Sequence, residues 1–575
     1  MKKALSILMA IAVLLSMTVG AFAETQAFTP GTYTGTSNGR NGPITVEVTV
    51  DDTQITDIQV ISHRETATLS DAPLTQVPAD IIKYQSLDVD AVTGATLTSM
   101  GVKAAIRDAL EQAGGNMTLL NAHVEKEYPV YTDNDFDIVV VGAGAAGMTA
   151  AIRAAEAGAN VLIVEKQGFL GGGDSMFSST SIRAGGSQFQ TGEDESAEAF
   201  YNYLEAQALQ YRPDVCDLEA VKIYADRSGS IVDWLTSIGV PYGNVVKKSF
   251  SVKIQDGSAP GTHNIKALRD EVNRLGIEYR VNTKATKILM EDGKAVGITV
   301  EDKNGSYDIT AKATIIATGG YSNNTELVEK YAPAWANRPT TGAPSATGDG
   351  ILMAEEIGAK ITNMDQVKAN ALCYVYYGTG ISLTAITTYA VLINHEGHRF
   401  VDESGGTVIS RAEALMAQTD HEAYAVFDQT VIDELALISG YNDTGYFLKG
   451  ETFEELADQM PDVDREAFLE TMANYMEYGK TGEDKEFGRD ITDPIDTPTY
   501  YAAKVTPSMQ STYGGITVDH ECHVLDVNDN IIPGLYAAGA TSGHSCCAGE
   551  VGAALIVAFV YGEIAGQTAA AEIAA

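Results

Sequence analysis

Residues Asp137–Ser175 read DIVVVGAGAAGMTAAIRAAEAGANVLIVEKQGFLGGGDS, and the fold turns on them. Ile138–Val141 is a β-branched apolar run, the pattern of a strand buried on both faces. Gly142, Gly144 and Gly147 follow as G-x-G-x-x-G, and small apolar residues then recur at helical spacing as far as Ala157. Gly158 ends that helix, Val161–Val164 is a second strand, and Glu165 closes it 18 residues after Gly147. A glycine turn alone is weak evidence, but strand, helix, second strand and terminal acid together form the dinucleotide fingerprint. Gly142 permits the tight turn, Gly144 lets backbone approach a pyrophosphate, and Gly147 lets the helix pack on the strand. The helix N-terminus offers free N–H groups to phosphate, and Glu165 can accept from a ribose.

A second glycine loop, Gly171-Gly172-Gly173-Asp174-Ser175, lies just past Glu165. Ala313–Tyr321 (ATIIATGGY) and Pro533–Gly539 (PGLYAAG) come far downstream. With the fingerprint, these segments resemble the flavoprotein family of fumarate reductases, succinate dehydrogenases, urocanate reductases and ketosteroid dehydrogenases, from about Phe136 to the C-terminus. The resemblance implies an α/β chain: a Rossmann-like FAD-binding domain with an inserted α+β clamp domain. It implies non-covalent FAD held by Gly142, Gly144, Gly147, Glu165, Lys166, Gly172, Gly173, Asp174, Ser175, Gly319, Gly539 and Gly552. The N–H groups of Ala554 and Leu555, at the start of a buried helix expected over Val551–Val560, would hold the flavin ring.

The start of the chain carries a different signal. Lys2 and Lys3 precede an apolar run from Ala4 to Val19, and Ala21-Phe22-Ala23 supplies an A-x-A cleavage site, so residues 1–23 read as a secretory signal peptide. The expected location is therefore outside the cytoplasm, in the cell envelope, periplasm or medium. Net charge is −39, and loss of Lys2 and Lys3 takes it to −41. Such a field repels nucleic acid and does nothing to draw anionic substrates from a distance. The five cysteines, Cys216, Cys373, Cys522, Cys546 and Cys547, form no C-x-x-C, so no iron–sulfur or c-type haem ligand set is present and no metal is expected.

Residues 28–115 read as a separate small α+β domain, with alternating Ile44–Val50 as a half-exposed strand and Met100–Gln112 as a helix. Between them Asp90–Ser99 reads DAVTGATLTS, which resembles the flavinylation motif of FMN-binding domains in electron-transport flavoproteins. The resemblance implies FMN joined by a phosphoester to Thr96, attached by an extracytoplasmic flavin transferase, with Asp90 orienting the incoming group. Taken alone, Thr93 or Thr96 could equally cap a helix. Residues 116–135 are polar and aperiodic, a linker. Beyond it the FAD-binding domain is expected as two segments, 136–323 and 498–575, with the clamp at 324–497 between them.

The family's substrate side chains are largely replaced. Its histidine-histidine-threonine before M-G-G becomes Gln510-Ser511-Thr512 before Tyr513-Gly514-Gly515, and its anchoring arginine becomes Glu550. Asn370-Ala371-Leu372 stands for histidine-proline-threonine, and Ala540 replaces a flavin-contacting glutamate. A small dicarboxylate needs two charge-assisted anchors, so a larger enoate or an enone is expected rather than fumarate. Arg183 is either an anchor for one carboxylate or a surface ion-pairing residue; Ser511 and Glu550 complete the substrate set. Asn394–Glu403 (NHEGHRFVDE) resembles the family's G-x-R-F-V-N-E, after which the proton-donating arginine lies; here Arg411 follows, with extra residues between. Tyrosines are the alternative acids: Tyr374, Tyr376, Tyr377, Tyr389 and Tyr513.

The expectation is an exported reductase in which a membrane-bound donor feeds FMN, then FAD, then an activated C=C bond of a small organic acceptor. A ketosteroid-like dehydrogenase running oxidatively, and a non-catalytic electron-transfer protein, stay open beside it.

Overall fold

The computed structural model describes residues 26–179, 181–211, 215–376, 379–383, 386–491, 494–543 and 554–575. The expected signal peptide, Tyr377, Cys546, Cys547, Glu550 and Gly552 lie outside them. The chain divides into two compact units, one of residues up to 65 with 73–91 and 96–127, the other of 66–72, 92–95 and 128–575.

In the first unit Gly31–Asn38, Pro43–Val50 and Ile55–Ser62 form an antiparallel three-stranded sheet. Alternation sets its faces: Ile44, Val46, Val48 and Val50 are buried under the helix Thr96–Gln112, which contributes Val102, Ala105, Ile106 and Ala109. A Cβ on Gly35 would stand 2.1 Å from Ala105 O, so that glycine lets helix and sheet meet. The stretch expected to be a featureless linker contains one helical turn, Met117–Leu120. Asn116 caps it by accepting from Thr118 N, and Leu120 buries its side chain.

The second unit is built on an eight-stranded sheet. Asp135–Val141, Val161–Val164 and Glu278–Arg280 run parallel to the end of Gly305–Ile316, and Ile531–Ala537 joins that end in parallel. The first half of Gly305–Ile316 instead pairs antiparallel with Lys294–Asp302. Ile138, Val139 and Val140 are completely buried, as their unbroken apolar run predicts. The C-terminal helix Ala554–Ala574 is long and apolar enough to cross a membrane, but most of it is buried inside the protein. It crosses Ala145–Glu156 at Gly562 and Gly566, where a Cβ would meet Ala146 O at 2.5 Å and Ala150 O at 2.3 Å.

A six-stranded antiparallel sheet belongs to the same unit. The strand Tyr500–Thr512, which the sequence reads as the return to the FAD domain, runs through its middle, between Val367–Tyr376 and Ala423–Asp428. The acidic stretch Glu454–Tyr478 is expected as a solvated face. It holds two helices, Phe453–Ala457 and Arg465–Thr481, and the second buries Phe468, Met472 and Tyr475. Arg399 pairs with Glu403 at 2.8 Å and Asp484 at 2.9 Å, and Arg489 with Glu403 at 3.1 Å, so Arg399 and Glu403 of HRFVDE belong to a buried ion cluster.

Candidate functional site

A cavity of ≈ 270 Å³ opens where the parallel strands end, bounded by the fingerprint loop, residues 173–175, 177–179, 181 and 538–540, the helix start at Ala554 and strand ends of the antiparallel sheet. Glycines decide its shape. Gly142 has φ +101°, and a Cβ on it would lie 2.5 Å from Ala317 O; one on Gly147 would lie 1.9 Å from Gly142 O. Both positions are closed to any side chain. Gly144, Gly173 and Gly319 are the opposite case: all three line the cavity, and a Cβ on any of them would meet nothing within 4 Å. The protein leaves room there for something that must touch backbone. Gly144 is also the N-cap of Ala145–Glu156, whose free N–H groups favour an anion.

Glu165 is buried, with Oε2 accepting from Ala143 N at 2.8 Å and Oε1 from Gln167 N at 2.8 Å. Burial outweighs those bonds and pushes its carboxyl above the usual value. A carboxylate has about four acceptor sites, so two remain for ribose hydroxyls. Lys166 is tied back into the protein, donating to Thr347 Oγ1 and Asp349 Oδ2, each at 2.6 Å. Lys284 reaches Asp349 Oδ1 at 3.0 Å. Burial alone would raise Asp349, but these two ammonium groups outweigh it and hold the carboxyl low. Thr318 and Thr541 join two parallel strand ends through hydroxyls 2.9 Å apart. The open glycines, the helix N-terminus and the half-used carboxylate together fit FAD. Gly539, Ser175, Ala554 and Leu555 line the cavity too, whereas Gly172 sits behind it, its carbonyl accepting from Gln167 and Ser345.

The rest of the lining mixes apolar residues such as Phe177 and Met353 with a polar group of side chains around Asp174. Asp174 Oδ1 accepts from Ala343 N at 2.5 Å and Oδ2 from Ser511 Oγ at 3.3 Å; burial raises its carboxyl. Successive strand residues point to opposite faces, yet Gln510 and Ser511 both line the cavity. A β-bulge explains it: Lys368 pairs with Ser511 and Ala369 with Met509, leaving Gln510 as the extra residue that the bulge re-aims. Lys368 and buried Tyr513 complete this region. Lys368, Lys284 and Asp349 were not singled out by the sequence as site residues, and Gln510 entered it only as the replacement of a family histidine; an isolated polar residue on a strand such as Lys368 or Lys284 reads as solvent-facing.

Arg183 is not in the lining. Its guanidinium donates to Tyr203 OH at 2.8 Å, on the small sheet of Ile182–Arg183, Ser251–Ile254 and Tyr242–Val246. Its described side-chain partner is thus an aromatic hydroxyl. Arg411 also lies outside the lining, on the helix Val408–Met416, started by a Thr407–Ser410 capping box. That helix packs on Val367–Tyr376 and Tyr500–Thr512, the strands whose ends carry Lys368 and Ser511. Arg411 donates to Gly405 O at 2.6 Å, while its buried Nε has no hydrogen-bond partner among the described residues. Burial lowers its pKa, against the pull of Asp402. Of the tyrosines, Tyr374 stacks on Tyr446 at 5.6 Å and Tyr389 donates to Glu434 at 3.3 Å; Tyr513 alone among these three faces the cavity.

In the first unit Thr96 is the exposed first residue of its helix, after a turn in which Gly94 has φ +93°. Leu97 and Met100, in the first turns of the same helix, are 53% and 57% exposed. Asp90 pairs with Lys126 at 2.8 Å.

The family model of the FAD binding domain matches residues 137–553, and that of the FMN-binding domain matches 39–111. Urocanate reductase of Eggerthella lenta is 32% identical, over 94% of this chain and 92% of its own. A fumarate reductase (cytochrome) of Shewanella frigidimarina is 31% identical, over 76% of this chain and 77% of its own. Among solved structures, the open conformation of a flavocytochrome c3 fumarate reductase matches with TM-score 0.67 and 32% identity, over 76% of this chain and 79% of that one.

Proposed function

This chain belongs to the FAD binding domain family as a fumarate-reductase-like flavoprotein acting on CH–CH bonds, with an FMN-binding domain ahead of it, and from that premise we propose that it is an exported reductase of α,β-unsaturated monocarboxylates or enones larger than fumarate. One observation carries the substrate class: the described residues lining the cavity include no arginine and no histidine, and two of its three lysines, Lys166 and Lys284, close on Asp349. Two carboxylates entering there would lose hydration without two cationic partners to replace it. The relatives named for urocanate and fumarate reduction frame the choice, and urocanate is the monocarboxylate of the two.

When bound, FAD supplies hydride chemistry at the cavity, and FMN supplies the relay of electrons toward it. The chain's own residues supply the rest. Gly144 and the helix N-terminus behind it position the pyrophosphate, and Glu165 the ribose. Arg411 gives the proton that the alkene α-carbon needs as the β-carbon receives hydride. Asp402, whose charge acts on the guanidinium, returns a proton from solvent. Tyr513 is a second candidate acid, favoured by its place in the cavity lining.

Anaerobic oxidation of the reduced protein by a panel of enoates, enones and cinnamates tests the reading. Rapid reoxidation by a monocarboxylate or enone, faster than by fumarate, is expected. Fumarate turning over as fast as the best alkene would sink the substrate class, and no oxidation by any alkene would leave the electron-transfer reading in its place.

Covalent FMN on Thr96, the transferase, the membrane-bound donor and the export signal belong to the same proposal. Mass spectrometry of protein made with its transferase should find one FMN mass on the peptide holding Thr96. Thr96→Ala should abolish that mass and donor-driven turnover while leaving FAD bound. An unmodified wild-type peptide would remove this route for electrons.

A further inference from the structure

The cavity lining holds three described cations, Lys166, Lys284 and Lys368. Lys166 and Lys284 both close on Asp349. Lys368 stands elsewhere, directly opposite Ser511 across an antiparallel pair. Opposed residues put their side chains on one face, with Cβ atoms about 5 Å apart. Ser511 in turn donates to Asp174, and Lys368 acts on the Asp174 carboxyl. Gln510, which the bulge re-aims, and Tyr513 line the same cavity. An ammonium group, an amide and a hydroxyl thus converge next to the Asp174–Ser175 loop.

We propose that Lys368 is the carboxylate anchor of the substrate, the contact that makes an unsaturated acid a better ligand than its neutral amide. This rests on the alkene-reductase reading and names the region of the cavity that selects the acceptor. Asp174 does not cancel the role. Asp174 already accepts from Ala343 N–H and the Ser511 hydroxyl, and an ammonium has three donors, so Lys368 can act on Asp174 and still donate to a substrate carboxylate. With the whole chain at −39, long-range attraction for an anion is absent, so recognition has to come from a charge inside the cavity. One such charge, assisted by Gln510, suits one carboxylate.

The test reads binding without turnover. Oxidised FAD-loaded protein is titrated with acrylate, cinnamate and urocanate, and with the amide of each, following the flavin difference spectrum. Wild type should bind at least one acid more tightly than its amide. Lys368→Met should weaken that acid about 10- to 100-fold while shifting the amide less than about threefold, and Lys368→Arg should keep the preference. FAD content and thermal midpoint are measured for each variant, and Lys368→Gln serves if the methionine variant loses FAD. Absence of any acid preference in wild type, its survival in Lys368→Met, or equal loss for acid and amide would overturn the anchor. Binding as expected without turnover of any acid would uphold the anchor and defeat the reductase reading instead.

Discussion

Gly144→Val will give a folded protein that binds FAD at least about 100-fold more weakly than wild type. The position has no steric reason of its own to be glycine: φ is −73°, and a Cβ meets no protein atom within 4 Å. The space that the side chain would take is cavity, at the N-cap of the helix whose N–H groups favour a pyrophosphate. The cost to the fold is that of an N-cap without a polar side chain, about 1 kcal/mol. Gly147→Val is the control with the opposite cause: its Cβ runs into Gly142 O at 1.9 Å, so FAD is lost because the strand–helix packing is. Released-flavin absorbance per chain, with the circular dichroism and thermal midpoint of the flavin-free forms, separates the two. Stoichiometric FAD in Gly144→Val would mean that the loop holds no pyrophosphate.

Arg411→Ala will lower alkene turnover by about 10²–10⁴-fold, the range general-acid catalysis supplies, while FAD content and reduction of the flavins by the donor stay near wild type. Burial disfavours the charged guanidinium and so makes it a readier proton donor than an exposed arginine. Its Nε is buried without an acceptor among the described residues, and its helix packs on the strands that carry Lys368 and Ser511. The comparison variant is Tyr513→Phe, which removes a hydroxyl and little volume from the cavity wall. Loss below about tenfold is expected there, against a general acid's larger share. Measured by single-turnover reoxidation, the reverse order would transfer the role to Tyr513. Near-normal turnover in both variants would remove protein-derived protonation by either group.

What was legible in the sequence is local. The fingerprint works because Gly142, Gly144, Gly147 and Glu165 all fall within one strand–turn–helix–strand unit, although only Gly147 is closed from inside it, by Gly142 O, while Gly142 is closed by Ala317 and Gly144 by no protein atom. The buried parallel strand at Ile138–Val141 and the buried C-terminal helix follow from unbroken apolar runs. Sidedness across long separations was not legible. Lys166 and Asp349 are 183 positions apart, and a lysine beside a ribose-binding acid reads as a cofactor contact until the fold brings Asp349 to it. Arg183 reads as a free cation until Tyr203 covers it. Glu454–Tyr478 looks solvated because charge dominates its composition, yet one helical face of it is core. Lys368 and Gln510 carry no local pattern. They face the cavity because Val367–Tyr376 pairs with Tyr500–Thr512 in one register, broken by one bulge beside them. Slipping that register by a single residue would turn Lys368 to the other face. Only the tertiary pairing of strands more than a hundred residues apart decides which side chains the cavity contains.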